Sequence, residues 1–531
     1  MIFNNIKTKK GAFLLLLMIS LLSSNSCSDD FGDINDSFQA NLTDATIPGL
    51  FNGLIQSVKK GETRNRVPVS WLYQWTQLAA MYTASGFRLD DKTTEAWEKY
   101  YRSLANYHDI ENLIAAEEDP ENFTNIQAMA RTIMAYQALS TTLLYGDIPY
   151  SEAGQGFLSA QAYRPVYDSQ QSIMQAAIND LTWAIDNLST NASQATLGGF
   201  DTLLDNDVDM WKKFANSLRL RYAMVMREKD AGFADPIITA ALSQPLLEPA
   251  EFVSLNPASI PGLSNDRRGF YRGNSYVRMG STMWEVMSST NDVDGSGIYD
   301  LRCSILFEPN ENDEWVPYPQ NPDNTTPTVT GDPHVNDRLD DWDSFRSNFA
   351  SINAYYTLDN DIPQFIITGS QISFLKAEIY NRGVGGVTAD QTMAETFYNE
   401  GITASVNFWY NYAFNSAIWA VNKPDAAAPS DAEINAMLTN PNVAYSADVA
   451  TALSQIYEQS WISLFHQPFE AWNLQRRTDN ATPNVPLAAT SLVTDFNRLT
   501  YPPSERETNR VNWTAVTGGS DSETTKIWIQ Q

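Results

Sequence analysis

The feature that most constrains the fold of this chain is a repeated three-to-four-residue spacing of apolar side chains. This spacing puts them on one face of an α-helix, so each such stretch predicts a helix that packs against a neighbour. Three stretches show it clearly: Ile126, Met129, Ala130, Ile133, Met134 and Ala138; Ile173, Ala177, Leu181, Ala184, Ile185 and Leu188; and Trp211, Phe214, Ala215, Leu218, Tyr222 and Met226. No alternating apolar and polar run is long enough to predict a barrel. We therefore predict a mainly α-helical fold of paired helices that bury one another's apolar faces.

The N-terminal residues have the layout of a secretory signal. Lys7, Lys9 and Lys10 precede an apolar stretch from Phe13 to Leu22, and small polar residues lead from there to Cys27. As a helix this stretch is only about 15 Å long, roughly half a bilayer core, which is too short for a stable transmembrane span. A cysteine at the expected cleavage point predicts a bacterial lipoprotein acylated on Cys27. The alternative is ordinary secretion with a free Cys27.

This signal divides the chain of 531 residues into three predicted parts. They are a signal peptide over residues 1–26, a lipidated tether over residues 27–44 and one domain over residues 45–531. The second of the two cysteines, Cys303, then has no partner for a disulfide. Because Cys303 lies in an apolar stretch, we expect it to be a small buried hydrophobic residue.

Charge and motifs exclude several classes of function. The net charge of −28 repels nucleic acid, so a nucleic-acid partner is not expected. The three histidines are widely separated, and common zinc-hydrolase, serine-hydrolase and nucleotide-binding motifs are missing, so we predict no metal site and no cofactor. Asn291 to Asp300 resembles the start of a calcium-binding EF-hand loop, but Cys303 stands where the bidentate Glu belongs. We interpret this stretch as a turn-rich loop and leave calcium binding open.

Aromatic residues in loop-rich segments suggest a ligand site. Ser254 to Arg278 and Glu308 to Asp343 are rich in Pro, Gly, Asn and Asp, and long loops in compact proteins are often functional. Aromatic faces suit the C–H patches of sugars, while Asp, Asn and Arg suit their hydroxyls. The candidate ligand-binding residues are Phe87, Arg88, Asp90, Trp97, Tyr271, Arg272, Trp315 and Tyr318. For Trp315 and Tyr318, burial in the core is an equally open interpretation, and for Trp71, Trp75 and Tyr100 we favour the core.

Several sequence blocks resemble a known family. They include AYQALSTTLLYGDIPYSEA from Ala135 to Ala153, and later PQFIITGSQISFLKAEIYNRG, QSWISLFHQPFEAWNLQRRT and FNRLTYPPSERETNRVN. Together they resemble the SusD/RagB family of nutrient-binding outer-membrane lipoproteins of Bacteroidetes, especially its second SusD-like subfamily, over nearly the whole chain. The resemblance implies an all-α fold with about four tetratricopeptide-like hairpins and a loop-rich ligand-binding face. It also implies a lipid-anchored position on the outer membrane, facing the cell exterior, and a SusC-like TonB-dependent transporter as partner.

The resemblance implies binding without catalysis. We expect the chain to bind a glycan and deliver it to the transporter. One alternative is a peptide-binding, RagB-like protein, and another is a helical glycoside hydrolase, which needs two carboxylates across one cleft. The GDIPY and EAWNLQRRT blocks have structural explanations: Gly146 shapes a turn, Asp147 bonds to nearby backbone groups, and Glu470 pairs with Arg476 or Arg477.

Overall fold

The computed structural model describes residues 45–59, 72–81, 93–155, 163–261, 263, 277–310, 312–321, 348–353, 359, 361, 363–416, 427–487 and 495–531. The predicted signal peptide, the tether and Cys27 lie outside the described residues. Within the described ranges, no helix is both long and apolar enough to cross a membrane.

Helices dominate the described part of the chain, which confirms the predicted fold class. Sixteen α-helices lie there: α1 (Ile47–Ser57), α2 (Leu72–Thr76), α3 (Thr93–Ala115), α4 (Thr124–Tyr145), α5 (Gln170–Asn187), α6 (Val208–Met226), α7 (Ala231–Leu242), α8 (Ser281–Glu285), α9 (Arg302–Leu306), α10 (Gly369–Arg382), α11 (Gln391–Asn415), α12 (Asp431–Leu438), α13 (Val449–Ser463), α14 (Pro468–Arg477), α15 (Pro503–Thr508) and α16 (Arg510–Thr517). The three clearest apolar stretches of the sequence fall in α4, α5 and α6.

Polar caps define where several of these helices begin. The side chains of Ser169, Asp207 and Asp390 accept hydrogen bonds from backbone N–H groups in the first turns of α5, α6 and α11. Such caps satisfy donors that have no partner inside the helix. At the other end of α10, Gly383 adopts a left-handed conformation with φ of +65°, which a residue without a side chain enters at little cost.

Helices that are neighbours in sequence pack together. Contacts join α3 to α4, α4 to α5, α5 to α6 and α6 to α7, and a second group joins α10, α11 and α13. A large cluster of buried hydrophobic residues runs from Ile47 to Ile529 through both groups. Cys303 belongs to this cluster, and its burial raises the pKa of its thiol well above the ordinary value, as expected for an inert core residue.

Two small antiparallel sheets complete the fold. One pairs β2 (Phe252–Leu255) with β6 (Gln364–Thr368), and the other has the strand order β1 (Ala80–Met81), β3 (Val277–Arg278), β5 (Ser351–Ile352) and β4 (Phe307–Glu308). The sequence reasoning missed these strands. Four of them have only two residues, and β6 is buried along most of its length, so neither kind shows the alternation of a half-exposed strand.

The predictions for the GDIPY and EAWNLQRRT blocks have different outcomes. Gly146 has a φ of +85°, and the Asp147 carboxylate accepts a 2.8 Å hydrogen bond from the backbone N–H of Gln170 at the start of α5, as predicted. The predicted pairing of Glu470 with Arg476 or Arg477 is wrong. Glu470 instead pairs with buried Arg221 of α6 at 3.4 Å, because the helix packing brings a charge from another helix closer than those of its own last turn.

Candidate functional site

Two segments that carry predicted ligand residues begin and end at one end of the four-stranded sheet. Met81, the last residue of β1, pairs with Val277, the first residue of β3. The chain therefore leaves towards residues 82–92 and returns from residues 264–276 at adjacent positions of the same sheet end. Five predicted ligand residues lie in these two segments, outside the described residues: Phe87, Arg88, Asp90, Tyr271 and Arg272. Their role in binding stays a prediction.

Trp97, a further predicted ligand residue, is buried. Its side chain is 6% exposed, and its ring centre lies 5.1 Å from that of Tyr145 and 5.8 Å from that of Tyr501. This aromatic cluster packs α3 against α4 and the chain before α15. In this structure Trp97 is therefore a core residue and offers no open face to a ligand.

Trp315 and Tyr318 are also buried, at 8% and 1% exposure. The Trp315 ring stacks on Trp284 of α8 with ring centres 6.2 Å apart and planes 10° apart. The backbone of Tyr318 forms an isolated β-bridge with that of Gly280. The Tyr318 ring contacts the Phe349 ring edge to face, with ring centres 4.9 Å apart. Of the two interpretations left open for this pair, exposure is wrong. Strand-like pairing and ring contacts turn both side chains inward although they lie in a loop-rich segment.

A cavity of about 970 Å³ opens at the C-terminal end of α14, and we call it the α14 cavity. Its lining includes residues 475–480, residues 484–487, Asp495–Asn497 and Trp75. The volume falls at the upper end of the range for small-molecule sites.

The first wall of the α14 cavity is the turn that ends α14. Arg476 and Arg477 occupy the last turn, where positive charge interacts favourably with the helix dipole. Asp479 and Asn480 then adopt left-handed conformations with φ of 51° and 63°, which Asp and Asn tolerate better than most residues. The backbone N–H of Asn480 donates to the Gln475 carbonyl at 2.9 Å, which closes this turn.

The second wall of the α14 cavity is formed by residues 484–487, and hydrogen bonds join it to Gln77 and Asn321. The Gln77 amide donates to the Val485 carbonyl at 2.6 Å and accepts from the Val485 N–H at 2.9 Å. The Asn321 amide donates to the Pro486 carbonyl at 2.9 Å. Asn321 is the last described residue before residues 322–347. The cavity therefore lies next to one of the segments predicted to carry function.

Aromatic rings form part of the lining. Trp472 and Phe496 stack with ring centres 4.8 Å apart and planes 4° apart, and Trp75 meets Phe496 edge to face at 5.3 Å. The Arg476 guanidinium lies 3.5 Å from the centre of the Trp472 ring, an attractive cation–π geometry. Trp472 is buried by these contacts, whereas Trp75 is half-buried. Trp75 is therefore the tryptophan of the lining with surface left for a ligand.

Charges near the cavity compensate one another. The buried Glu378 carboxylate accepts hydrogen bonds from Arg477 at 2.9 and 2.6 Å and from Arg382 at 2.9 Å. Burial alone raises the pKa of Glu378, but attraction to Arg477 and Arg382 outweighs burial and holds that pKa below its ordinary value. Arg382 also pairs with Glu228 at 2.5 Å. Arg477 and Arg382 thus have carboxylate partners within the protein.

Amide groups supply the remaining polar contacts. Asn480 and Asn484 are exposed at the cavity, and Gln475 lies behind them. The Asn484 amide donates to the carbonyls of Asn480 and Thr482, at 2.9 and 2.6 Å, which leaves its side-chain oxygen as an acceptor. Amides beside a ring suit a neutral, hydroxyl-rich ligand. The sequence reasoning missed these residues because they follow the end of a helix and belong to no periodic pattern.

A possible acid for hydrolysis lies elsewhere. Burial and the neighbouring charge of Asp300 raise the pKa of Glu458 on α13 to about 7. Glu458 does not line the α14 cavity.

Among the described residues, no group of three or more potential metal ligands clusters together. In the loop that resembles an EF-hand, Asp294 accepts a 2.9 Å hydrogen bond from the Ser296 N–H, and Asp300 pairs with Arg302 at 2.6 Å.

Comparisons with known proteins agree with this architecture. A solved chitin-binding protein is 23% identical, with a TM-score of 0.71, and the match covers 91% of this chain and all of that one. A SusD homologue from Parabacteroides distasonis is 20% identical with a TM-score of 0.66, covering 91% of this chain and 97% of that one. A chitin-binding SusD homologue from Flavobacterium johnsoniae is 21% identical with a TM-score of 0.64, covering 91% and 98%. At these identities the likeness shows a shared fold.

Sequence comparison places the family. No curated protein sequence matches the chain significantly. A family model does match, over residues 39–502, and its description is starch-binding and associating with the outer membrane. This match spans most of the chain, and the chain therefore belongs to the SusD-like family of outer-membrane-associated nutrient-binding proteins.

Proposed function

We propose that this chain is a lipid-anchored protein of the outer membrane that captures neutral oligosaccharides outside the cell and delivers them to a SusC-like TonB-dependent transporter. Family membership supports a nutrient-binding role. The α14 cavity carries the proposal for the ligand, because it combines the half-buried Trp75 ring, the exposed amides of Asn480 and Asn484, and the paired charges of Arg382 and Arg477. Cys27 carries the proposed anchor.

Moderate affinity suits this role. One stacked ring contributes about 1–2 kcal/mol from its buried apolar area. A few hydrogen bonds added to it, after the cost of ordering the ligand, give binding in roughly the micromolar to millimolar range. A ligand held this weakly is released readily, as transfer to a transporter requires.

A glycan is favoured over a peptide by the composition of the cavity. Two of the solved structures with this fold are described as chitin-binding proteins. Arg382 and Arg477 of the cavity pair with Glu378, and Arg382 also pairs with Glu228, so these two arginines are engaged within the protein. A cationic peptide attracted by the net charge of −28 is the alternative that the experiment must separate.

The test is calorimetric titration of the protein with chitohexaose, maltoheptaose and a lysine-rich peptide. We expect at least one of the two sugars to bind. The Trp75→Ala variant should weaken binding of that sugar about tenfold, because it removes the ring that contributes about 1–2 kcal/mol.

The matched control is Trp183→Ala on α5. Trp183 is also half-buried and also makes a ring contact, with Arg131 4.0 Å from its ring centre, but it does not line the cavity. Equal affinity of Trp75→Ala and Trp183→Ala for the sugar would rule out the α14 cavity as the binding site. Binding of the peptide alone would replace the glycan by a peptide ligand, and new reducing ends in the sugar solution would identify a hydrolase instead.

A further inference from the structure

A second groove lies along α11 and shares no lining residue with the α14 cavity. It has a volume of about 400 Å³ and is closed on one side by residues 249, 250 and 252 at the start of β2. We call it the α11 groove. Its volume is within the range of small-molecule sites and small for a docked helix or domain.

One side of the α11 groove is a row of polar side chains repeated at every fourth residue. The row consists of Asn399, Thr403, Asn407 and Asn411. Residues four apart in a helix lie above one another, with a rise of about 6 Å at each step. The row therefore presents a hydrogen-bonding group at each turn of α11 over about 18 Å.

A parallel row forms the floor and is largely apolar. Ala404, Phe408 and Tyr412 follow Glu400 at the same spacing. The ring centre of Phe252 lies 5.5 Å from that of Phe408 and 5.6 Å from that of Tyr412. These edge-to-face contacts fix the orientation of the rings, while Phe252 and Tyr412 remain half-buried.

The amides of the polar row make no hydrogen bond to another described residue. Among the described residues, no hydrogen bond engages the side chain of Asn399, Asn407 or Asn411. By contrast, the Asn381 amide on neighbouring α10 donates to Gln391 at 3.1 Å and to Tyr445 at 3.0 Å. Asn and Thr are also weaker helix formers than the Ala, Glu or Lys common on exposed faces. Among the described residues, no contact within the fold accounts for the composition of the row.

The charge of the α11 groove favours a neutral ligand. Of the described residues that line it, Glu400 alone is charged, and its carboxylate already accepts a 2.7 Å hydrogen bond from Ser373. A strip of rings beside a ladder of amides matches a sugar chain, whose rings carry C–H faces and hydroxyl edges in repetition.

We propose that the α11 groove is a second oligosaccharide site of this protein. The ligand class is taken from the proposed function, but the groove stands on different residues and is tested separately. Two weak sites on one rigid body bind a long polysaccharide more tightly than either site binds a short oligomer, because the second contact is made at high effective concentration.

The test uses Asn407→Ala together with Asn411→Ala in the full mature chain. Both positions are exposed, and Ala favours the helix, so the variant is expected to fold. The matched control is Glu395→Ala with Thr396→Ala, two exposed positions of the same helix outside the groove. Calorimetry with chitohexaose and maltoheptaose gives the number of sites, and affinity electrophoresis in gels containing starch or soluble chitin gives retention by the polymer.

We expect two sites in the wild type and in the control, and one site in the groove variant. Retention by the polymer should fall at least tenfold in the groove variant alone. A single site that is lost in Trp75→Ala and unchanged in the groove variant would overturn the second site and leave the proposed function intact. A wild type that binds neither sugar would refute the glycan function and the groove together. A groove variant that keeps sugar binding but loses copurification of the transporter would show that the groove binds a protein.

Discussion

The buried charge network beside the α14 cavity supports a quantitative prediction about Glu378. Its side chain is 2% exposed and is held by Arg477 at 2.6 Å and by Arg382 at 2.9 Å. Replacing it by Gln keeps its shape but leaves two arginines near the core without their shared carboxylate. Removing one partner of a buried ion pair costs about 3–5 kcal/mol. We therefore expect Glu378→Gln to lower the free energy of unfolding by about that amount.

A surface pair with the same sequence spacing provides the control. Glu98 and Arg102 are four residues apart, like Glu378 and Arg382, and lie 2.6 Å from each other, but their side chains are 47% and 79% exposed. We expect Glu98→Gln to change the free energy of unfolding by at most about 0.5 kcal/mol. Urea unfolding at pH 7, followed by tryptophan fluorescence, measures both variants. Equal effects would refute the reasoning, because burial is what separates the two pairs.

The same comparison depends on pH in a defined direction. The two arginines hold the pKa of Glu378 below its ordinary value, despite the opposing effect of burial. Its contribution is therefore complete above the unfolded-state pKa of about 4.3 and is lost as the pH falls through the lower folded-state value. The difference between wild type and Glu378→Gln should shrink as the pH falls below about 4. A difference that grew under acid would contradict the sign of the pKa shift.

Two further predictions concern Trp315 and Cys27. Trp315→Ala should lower the free energy of unfolding by about 3–5 kcal/mol, because it removes a buried ring that stacks on Trp284. The folded fraction of this variant should still bind sugar like the wild type. A loss of sugar binding at unchanged stability would restore Trp315 as a ligand residue. Cys27→Ala in the full chain should move the protein from the membrane fraction to the soluble fraction, because the proposed acyl anchor is lost. If the variant stays in the membrane fraction, Cys27 is not the anchoring residue.

The aromatic residues of this chain show the limit of sequence reasoning. Trp97, Trp315 and Tyr318 are candidates because aromatic rings near loops suit sugars, yet neighbours distant in sequence bury all three. The sequence favours the core for Trp75, but this residue is half-buried at a cavity. Residue type is the same in both situations, so composition cannot separate a core ring from a ligand platform.

Local patterns in the sequence determine much of this protein by themselves. The three-to-four-residue spacing along α4, α5 and α6 predicts helices with one buried face, because that periodicity depends on the chain alone. The order of blocks such as AYQALSTTLLYGDIPYSEA indicates the family.

Tertiary packing decided the rest. Glu470 pairs with Arg221 instead of an arginine of its own helix, four strands have only two residues and are too short to show alternation, and the α14 cavity joins residues from α2 to the C-terminal region. Burial and pairing are properties of contacts between distant segments, and such contacts exist only once the chain has folded.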